Sequence, residues 1–131
     1  MAKWIYIVGT KCADPAREKD FNEWYDTMHL PDLVKRVPGL MKATRYEIFK
    51  VVPPGRTGPG MPKFLQASGT SEVPKYIAIY EIESDNIEQT LAMISGESRK
   101  VGEMGRMSPL PVVLCRYLYR QASPKREKVL Y

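Results

Sequence analysis

The stretch FNEWYDTMHLPDLVKRVPGLMKATRYE, residues 21–47, carries most of the information about the fold of this chain. Large apolar side chains recur in its first part at helical spacing, at Phe21, Trp24, Tyr25 and Met28. From residue 40 onward the side chains alternate instead, as in a strand. The stretch therefore predicts a helix, a tight connection and a strand.

The start of this helix is predicted from polar residues. Asp20 stands three residues before Glu23, which is the spacing of a capping box. The preceding residues form either a loop or an extra turn that begins at Asp14, with Pro15 at its first helical position.

Pro31 limits the helix at its other end. A proline cannot donate a hydrogen bond into the preceding turn, and it disfavours the helical conformation at Leu30. We expect the helix to stop or kink close to His29 and a short second turn to restart over residues 31–37. The Pro38-Gly39 pair then closes the connection.

The strand predicted over residues 40–52 has two faces. One carries Lys42, Thr44, Tyr46 and Ile48. The other carries Ala43, Arg45, Glu47 and Phe49. Alternation separates the two sets but leaves open which of them meets the helices.

The remaining elements follow from the same patterns. Strands are expected at residues 3–9, 75–83 and 111–121. A second helix begins at a capping box of Asp85 and Glu88 and ends near Gly96 or residue 101. Residues 53–74 are rich in proline and glycine and form a long loop, interpreted as a lid.

The order strand, helix, strand, strand, helix, strand predicts an α+β fold of ferredoxin-like βαββαβ type. Right-handed crossovers place both helices on one face of a four-stranded antiparallel sheet. The other face must also be covered, and a second copy of the sheet is the simplest cover, so a homodimer through the sheet faces is expected. At 131 residues we expect one domain, residues 1–131, with a basic tail over 122–131.

Composition excludes several classes of protein. The chain is 44% hydrophobic and 27% charged, with no apolar run long enough to cross a bilayer and no pattern typical of a secretory signal, so we expect no membrane partner and a cytoplasmic location. The net charge of +5 is scattered and lacks any nucleic-acid motif, so no nucleic-acid partner is expected. A basic surface can still attract a carboxylated small-molecule substrate.

Residues 21–47 resemble the EthD-like branch of the dimeric α+β barrel superfamily. The resemblance lies in the aromatic pair Trp24-Tyr25 before an acidic residue, in His29 near a proline, in the Pro-Gly pair and in Arg45-Tyr46 on the next strand. It covers residues 3–50 well and the rest of the chain through the order of the elements. It implies a protomer that pairs sheet to sheet, with a ligand pocket between the sheet and the helices.

The resemblance also implies a range of activities. Relatives include cofactor-free isomerases, polyketide cyclases, decarboxylases and lyases, together with haem-degrading oxygenases. Muconolactone-type isomerases have a histidine on the first helix and a tyrosine on the second strand, which correspond here to His29 and Tyr46.

His29 is the only histidine of the chain and the first candidate catalytic residue. A histidine titrates near neutrality, the end of a helix favours its charged form and apolar neighbours favour its neutral form. Asp26 and Asp32 lie three residues to either side, so a carboxylate could orient the ring. The alternative is that His29 only caps the helix C-terminus.

Tyr46 is the second candidate catalytic residue, as a hydrogen-bond donor to a developing enolate or carboxylate, provided that its face of the strand meets the helices. The alternative is a tyrosine with a structural role. Candidate substrate-binding residues are Tyr6, Trp24, Tyr25, Tyr80 and Arg116, the last of which could hold a substrate carboxylate.

Glu23, Asp26, His29 and Asp32 recur every third residue, which is the spacing of a possible metal site. One histidine with scattered carboxylates is a poor set of transition-metal ligands, and a lone histidine does not establish haem binding. We therefore expect neither a metal nor another cofactor.

The sequence thus predicts a homodimeric, cofactor-independent lyase or isomerase that uses His29 and Tyr46 on a small apolar carbonyl or aromatic substrate. The main alternative is a non-catalytic small-molecule-binding or accessory protein of a degradative oxygenase system. A weaker alternative is a haem- or flavin-assisted monooxygenase.

Overall fold

A computed structural model describes residues 1–52 and 73–129, with Val101 described by its backbone alone. The described residues contain the strands β1 (Lys3–Cys12), β2 (Leu40–Glu47), β3 (Tyr76–Glu83) and β4 (Pro111–Arg120). They also contain the α-helices α1 (Glu18–Trp24), α2 (Leu30–Arg36) and α3 (Ile87–Glu103). A 3-10 turn (Pro15–Arg17) precedes α1, and a π turn (Tyr25–His29) joins α1 to α2.

The strands form one antiparallel sheet in the order β2-β3-β1-β4. The predicted α+β, ferredoxin-like fold is therefore confirmed. Its strands have slightly different limits: β1 extends three residues further than expected, to Cys12, whereas β2 ends at Glu47. The loop interpreted as a lid lies outside the described residues, apart from its last two positions.

One face of the sheet packs against the helices. Its central residues are buried, among them Val8 of β1 and Tyr76, Ala78, Tyr80 and Ile82 of β3. Phe21 is fully buried at the centre of this core, with its ring 5.5 Å from both the Tyr25 and the Tyr76 rings. This face therefore contains the aromatic cluster from which the candidate site is built.

The opposite face of the sheet is not covered by any described helix. Register places Ile7, Ile79 and Thr44 side by side across three strands, with Tyr117 on the fourth. The side chains on this face are half-buried or exposed, and Tyr117 is 55% exposed. We call this surface the open face.

The first helix begins earlier than the capping box predicted. The Asp14 carboxylate accepts a hydrogen bond from the Ala16 N–H, and Pro15 occupies the first position, so the extra turn at Asp14 is confirmed. The capping role of Asp20 is wrong, because Asp20 lies inside α1, where its carboxylate is 3.4 Å from the Arg17 guanidinium.

The stop or kink expected near His29 takes the form of a π turn, which interrupts the α-helical hydrogen bonding, and α2 then begins at Leu30, next to the restart expected at Pro31. Leu30 keeps helical dihedral angles and donates its backbone N–H to the Tyr25 carbonyl, five residues back. Such a wider turn accommodates a proline ring and the missing N–H. Continuation buries Leu30 and Leu33, and this burial offsets the local preference of the residue before proline.

The second capping box is also wrong in detail. Asn86 caps α3, because its side-chain oxygen accepts a hydrogen bond from the Gln89 N–H. The Ser84 hydroxyl in turn accepts one from the Asn86 N–H. Helix α3 then runs past Gly96 to Glu103. No helix within residues 1–52 and 73–129 is long and apolar enough to span a membrane.

Candidate functional site

The π turn brings the rings of Trp24 and His29 together. Their centroids are 4.7 Å apart and their planes differ by 19°. The two residues are five positions apart, and an α-helix would place them about 140° apart around its axis. The wider π turn brings them onto nearly the same side. A helix with regular hydrogen bonding through this region would not allow the stack.

His29 also contacts Tyr25, whose ring lies edge-on at 5.2 Å. The imidazole is therefore bracketed by two aromatic rings of its own helix. Because the helix continues into α2, no helix C-terminus lies at this point, and the alternative that His29 caps such an end is wrong.

Burial among these rings decides the charge of His29. Loss of solvation lowers the pKa of the imidazole from 6.5 to about 4, while the nearby Asp32 carboxylate opposes this shift. The ring is therefore neutral at pH 7. It has one nitrogen that can accept a proton and one N–H that can donate.

Asp32 and Trp24 are both held by Arg106, which lies in the connection between α3 and β4. The Arg106 guanidinium donates two hydrogen bonds to the Asp32 carboxylate, at 2.9 and 3.0 Å. This contact lowers the pKa of Asp32, so the carboxylate stays ionised. The backbone carbonyl of Arg106 accepts a 2.7 Å hydrogen bond from the Trp24 indole N–H.

Tyrosine hydroxyls lie on the sheet side of His29. Tyr25 and Tyr80 are buried, and Thr10 and Tyr80 both act on the pKa of the Tyr25 hydroxyl. Burial raises the pKa of both phenols, so they remain protonated at neutral pH. Tyr6 lies 5.9 Å from the Tyr80 ring and is more accessible. Burial raises its pKa too, whereas the charge of Arg116 lowers it.

Arg116 lies at the exposed side of this cluster. It pairs in register with the buried Val8 of β1, so it lies on the helix side of the sheet, and its charge acts on both Tyr6 and Tyr25. The structure thus places all five predicted substrate-binding residues on the same side of the sheet as His29. Their roles in binding remain predictions.

Tyr46 does not lie in this cluster. It pairs with Ile77 of β3 on the open face and is 54% exposed. Its neighbour Arg45 points to the helices instead, where its guanidinium lies 4.4 Å from the centre of the Tyr25 ring. The predicted His29–Tyr46 pair required the Tyr46 face of the strand to meet the helices. This condition is not met, because the other face of the strand meets them.

The acidic residues near His29 have other partners. Asp26 is 3.1 Å from Arg45, and Asp32 is bound by Arg106. Within residues 1–52 and 73–129, no group of three histidine, cysteine or acidic side chains is placed to hold a metal ion. The residues spaced by three do not converge, because the π turn interrupts the regular helix.

Structural comparison agrees with this architecture. The chain is similar to HapK from Hahella chejuensis (TM-score 0.63, 13% identity), with 96% of this chain and 99% of that one aligned. It is also similar to an EthD-like protein from Ralstonia eutropha JMP134 (TM-score 0.51, 12% identity), with 95% and 96% aligned. The chain shares the fold of these two proteins. The resemblance seen in residues 21–47 is thus confirmed at the level of the fold.

A third protein with this fold, a proposed monooxygenase from Shewanella loihica PV-4, has a TM-score of 0.52 at 12% identity, with 95% of this chain and 99% of that one aligned. Comparison of the sequence with protein-family profiles and with curated proteins finds no match. At such low identity the shared fold carries no information about the reaction.

Two parts of the aromatic cluster were missed from the sequence. Arg45 is buried against three aromatic rings and also donates a 2.9 Å hydrogen bond to the Asn22 side chain. The resemblance included Arg45, but nothing in the strand pattern assigned it to the helix side. Arg106 lies 74 residues from Asp32, and no local pattern connects them.

A groove of about 550 Å³ lies beside the cluster, between α2 and the edge strand β2. It is lined by Asp26, Leu30, Pro31, Val34, Lys42, Ala43, Thr44 and Arg45. His29 does not line this groove, so its chemistry belongs to the aromatic cluster and not to the groove.

Proposed function

We propose that the protein is a cofactor-independent lyase or isomerase in which His29 transfers a proton on a small, largely apolar carbonyl or aromatic substrate. The observation that carries this proposal is the neutral His29 imidazole, stacked on Trp24, with the Asp32 carboxylate close enough to favour its charged form. A neutral imidazole beside a carboxylate can accept a proton and be stabilised as the cation that forms.

The proposed step begins with a substrate C–H bond next to a carbonyl group. The proton passes to the free nitrogen of His29, and the electron pair of the C–H bond moves toward the carbonyl oxygen to give an enolate. The Tyr6 hydroxyl, as the more accessible phenol of the cluster, donates a hydrogen bond to that oxygen in this proposal. The imidazolium then returns its proton to another substrate atom.

Arg116 is proposed to select substrates that carry a carboxylate. Its guanidinium lies on the exposed side of the cluster, and a guanidinium can bind a carboxylate through two parallel hydrogen bonds. The aromatic rings of Tyr6 and Trp24 provide apolar surface for the rest of the molecule. The substrate class is thus an aromatic or polyketide-like acid.

A titration of His29 by proton NMR tests whether this cluster binds such ligands. A single histidine gives one set of imidazole signals that needs no assignment. We expect a pKa well below 6.5 without ligand, and a further change when an aromatic acid from a panel is added. A His29 pKa near 6.5 that stays the same when each acid is added would contradict the proposal.

The low pKa of His29 also favours a second candidate function, a non-catalytic small-molecule-binding or accessory protein. An imidazole with a pKa of about 4 is a weak base, and a weak base removes protons slowly. In this case the ligand would shift the His29 signals without being converted. A monooxygenase role, suggested by the similarity to the Shewanella protein, would be detected as haem or flavin absorbance of the purified protein.

A homodimer through the open faces is proposed as the assembly. The open face carries Ile7, Ile77, Ile79 and Tyr117, which form an apolar surface that a second sheet would cover. We expect light scattering to give twice the 15.0 kDa chain mass. The substitution Ile79→Lys should reduce the mass to that of the monomer, because the interface would then bury a charge.

Val34→Lys is the matched control for this experiment, since Val34 is an exposed apolar residue of α2 on the other side of the molecule. It should leave the dimer intact. A wild-type chain that runs as a monomer at high concentration, or an Ile79→Lys variant that stays dimeric, would exclude assembly through this face.

A further inference from the structure

We infer that Arg106 is the positioning residue of His29, holding both the ring that stacks on the imidazole and the carboxylate beside it. The inference deepens the proposed function, since it names the residue that sets how readily His29 accepts a proton. Arg106 lies outside the helix that carries His29 and touches neither a predicted substrate-binding hydroxyl nor Arg116 in any described contact.

The first of its two contacts is made by the backbone. The Arg106 carbonyl accepts the indole N–H of Trp24 at 2.7 Å, a short hydrogen bond that fixes the orientation of the indole plane. Because Trp24 stacks on His29 at 4.7 Å, fixing the indole also fixes one wall of the imidazole site. Any substitution of the Arg106 side chain leaves this contact chemically possible.

The second contact is made by the side chain. The guanidinium binds Asp32 through two parallel hydrogen bonds of 2.9 and 3.0 Å. The Asp32 side chain is only 14% exposed, and its charge raises the pKa of His29 against the effect of burial. Arg106 therefore neutralises the carboxylate that otherwise stabilises a proton on His29.

The other charged and titratable groups around the imidazole are few. Tyr25 of the same helix is a neutral phenol, and Arg36 of α2 acts on Asp32 through its charge. Arg116 of β4 acts on the neighbouring Tyr25. Among the described contacts of these groups, the Asp32–Arg106 pair is joined by two direct hydrogen bonds, and the Asp32 charge is the one that opposes the effect of burial on the pKa of His29.

The experiment compares the NMR titration of His29 in the full-length wild type and in Arg106→Gln. Glutamine removes the cation and leaves Asp32 without its bidentate partner. We expect the pKa of His29 to rise by about 1 as a result, since a close unpaired carboxylate stabilises the imidazolium. Arg99→Gln is the matched control, because it removes one positive charge from an exposed site on α3 and should leave the pKa unchanged.

Asp32→Asn provides the second arm and keeps the test valid if Arg106→Gln alone fails to fold. Removing the carboxylate should lower the pKa of His29 below the wild-type value, and adding Arg106→Gln to Asp32→Asn should then change it little. A pKa in Arg106→Gln equal to that in Arg99→Gln would overturn the inference. So would a double variant in which the pKa is still raised.

These measurements separate the inference from the proposed function, because the His29 pKa is read without substrate. If the pKa responds as expected but no compound is converted, the positioning role stands and the catalytic role fails. Where a substrate is converted, the acidic limb of the pH profile of kcat/KM should move with the NMR pKa in Arg106→Gln. A purely structural residue would lower the rate at every pH without moving that limb.

Discussion

Replacement of His29 by glutamine is expected to lower kcat by about 10²- to 10⁴-fold on any aromatic or polyketide-like acid that the wild type converts, because the proposed proton transfer loses its acceptor. Glutamine has a similar length and keeps hydrogen-bonding atoms, but it cannot take up a proton near neutral pH. Product formation in steady-state assays measures the rate. Binding of the same compound, measured by calorimetry, should weaken far less than kcat falls.

Tyr46→Phe is the matched control for the first experiment. Tyr46 lies on the open face, away from the His29 cluster, so loss of its hydroxyl should leave kcat within about twofold of the wild type. A His29→Gln variant that keeps the wild-type rate would remove the catalytic role. If Tyr46→Phe lost activity as strongly as His29→Gln, Tyr46 would have a role in the reaction. The proposal that the His29 cluster is the catalytic site would then be rejected.

The second large effect is a loss of stability in acid. The pKa of His29 is about 4 in the folded protein, against the ordinary value of 6.5 in the unfolded chain. Between these values the unfolded state binds the extra proton, so stability falls as pH decreases. His29 should contribute no such penalty above pH 6.5, and it should cost about 3 kcal/mol once the pH is below 4.

Urea unfolding at one protein concentration, at pH 7 and at pH 4, measures this penalty. Other acidic and basic groups also titrate, so the comparison is made with His29→Gln, which lacks only this group. The free energy of unfolding of the wild type should fall between the two pH values by about 3 kcal/mol more than that of the variant. Equal losses in the two proteins would mean that His29 is solvated and titrates normally.

The sequence alone was sufficient for the order of the elements. Helical spacing from Phe21 to Met28 and alternation in the strands are local patterns, and they reflect which side chains a helix or a strand must bury. The same patterns identified His29 and its aromatic neighbours Trp24 and Tyr25 as candidates. All three lie in one cluster, together with Tyr6, Tyr80 and Arg116.

Local rules failed where tertiary packing outweighed them. Pro31 predicted a stop or kink near His29 but not its form, a π turn through which the chain stays helical and buries Leu30 and Leu33. Asp20 has the spacing of a capping box, but no helix begins there. The helical region already begins at Asp14 and Pro15. An N-cap contributes about 1 kcal/mol and an interior proline costs about 3 kcal/mol, and burial of several large apolar side chains can offset either.

What the sequence by itself determined is therefore the set of elements and the helix that carries His29. Only the tertiary structure decided that Arg45, and not Tyr46, faces that helix, since alternation defines two faces without saying which is inside. Only the tertiary structure brought Arg106 to Asp32 and Trp24, because a contact across 74 or 82 residues depends on how the whole sheet and its helices assemble.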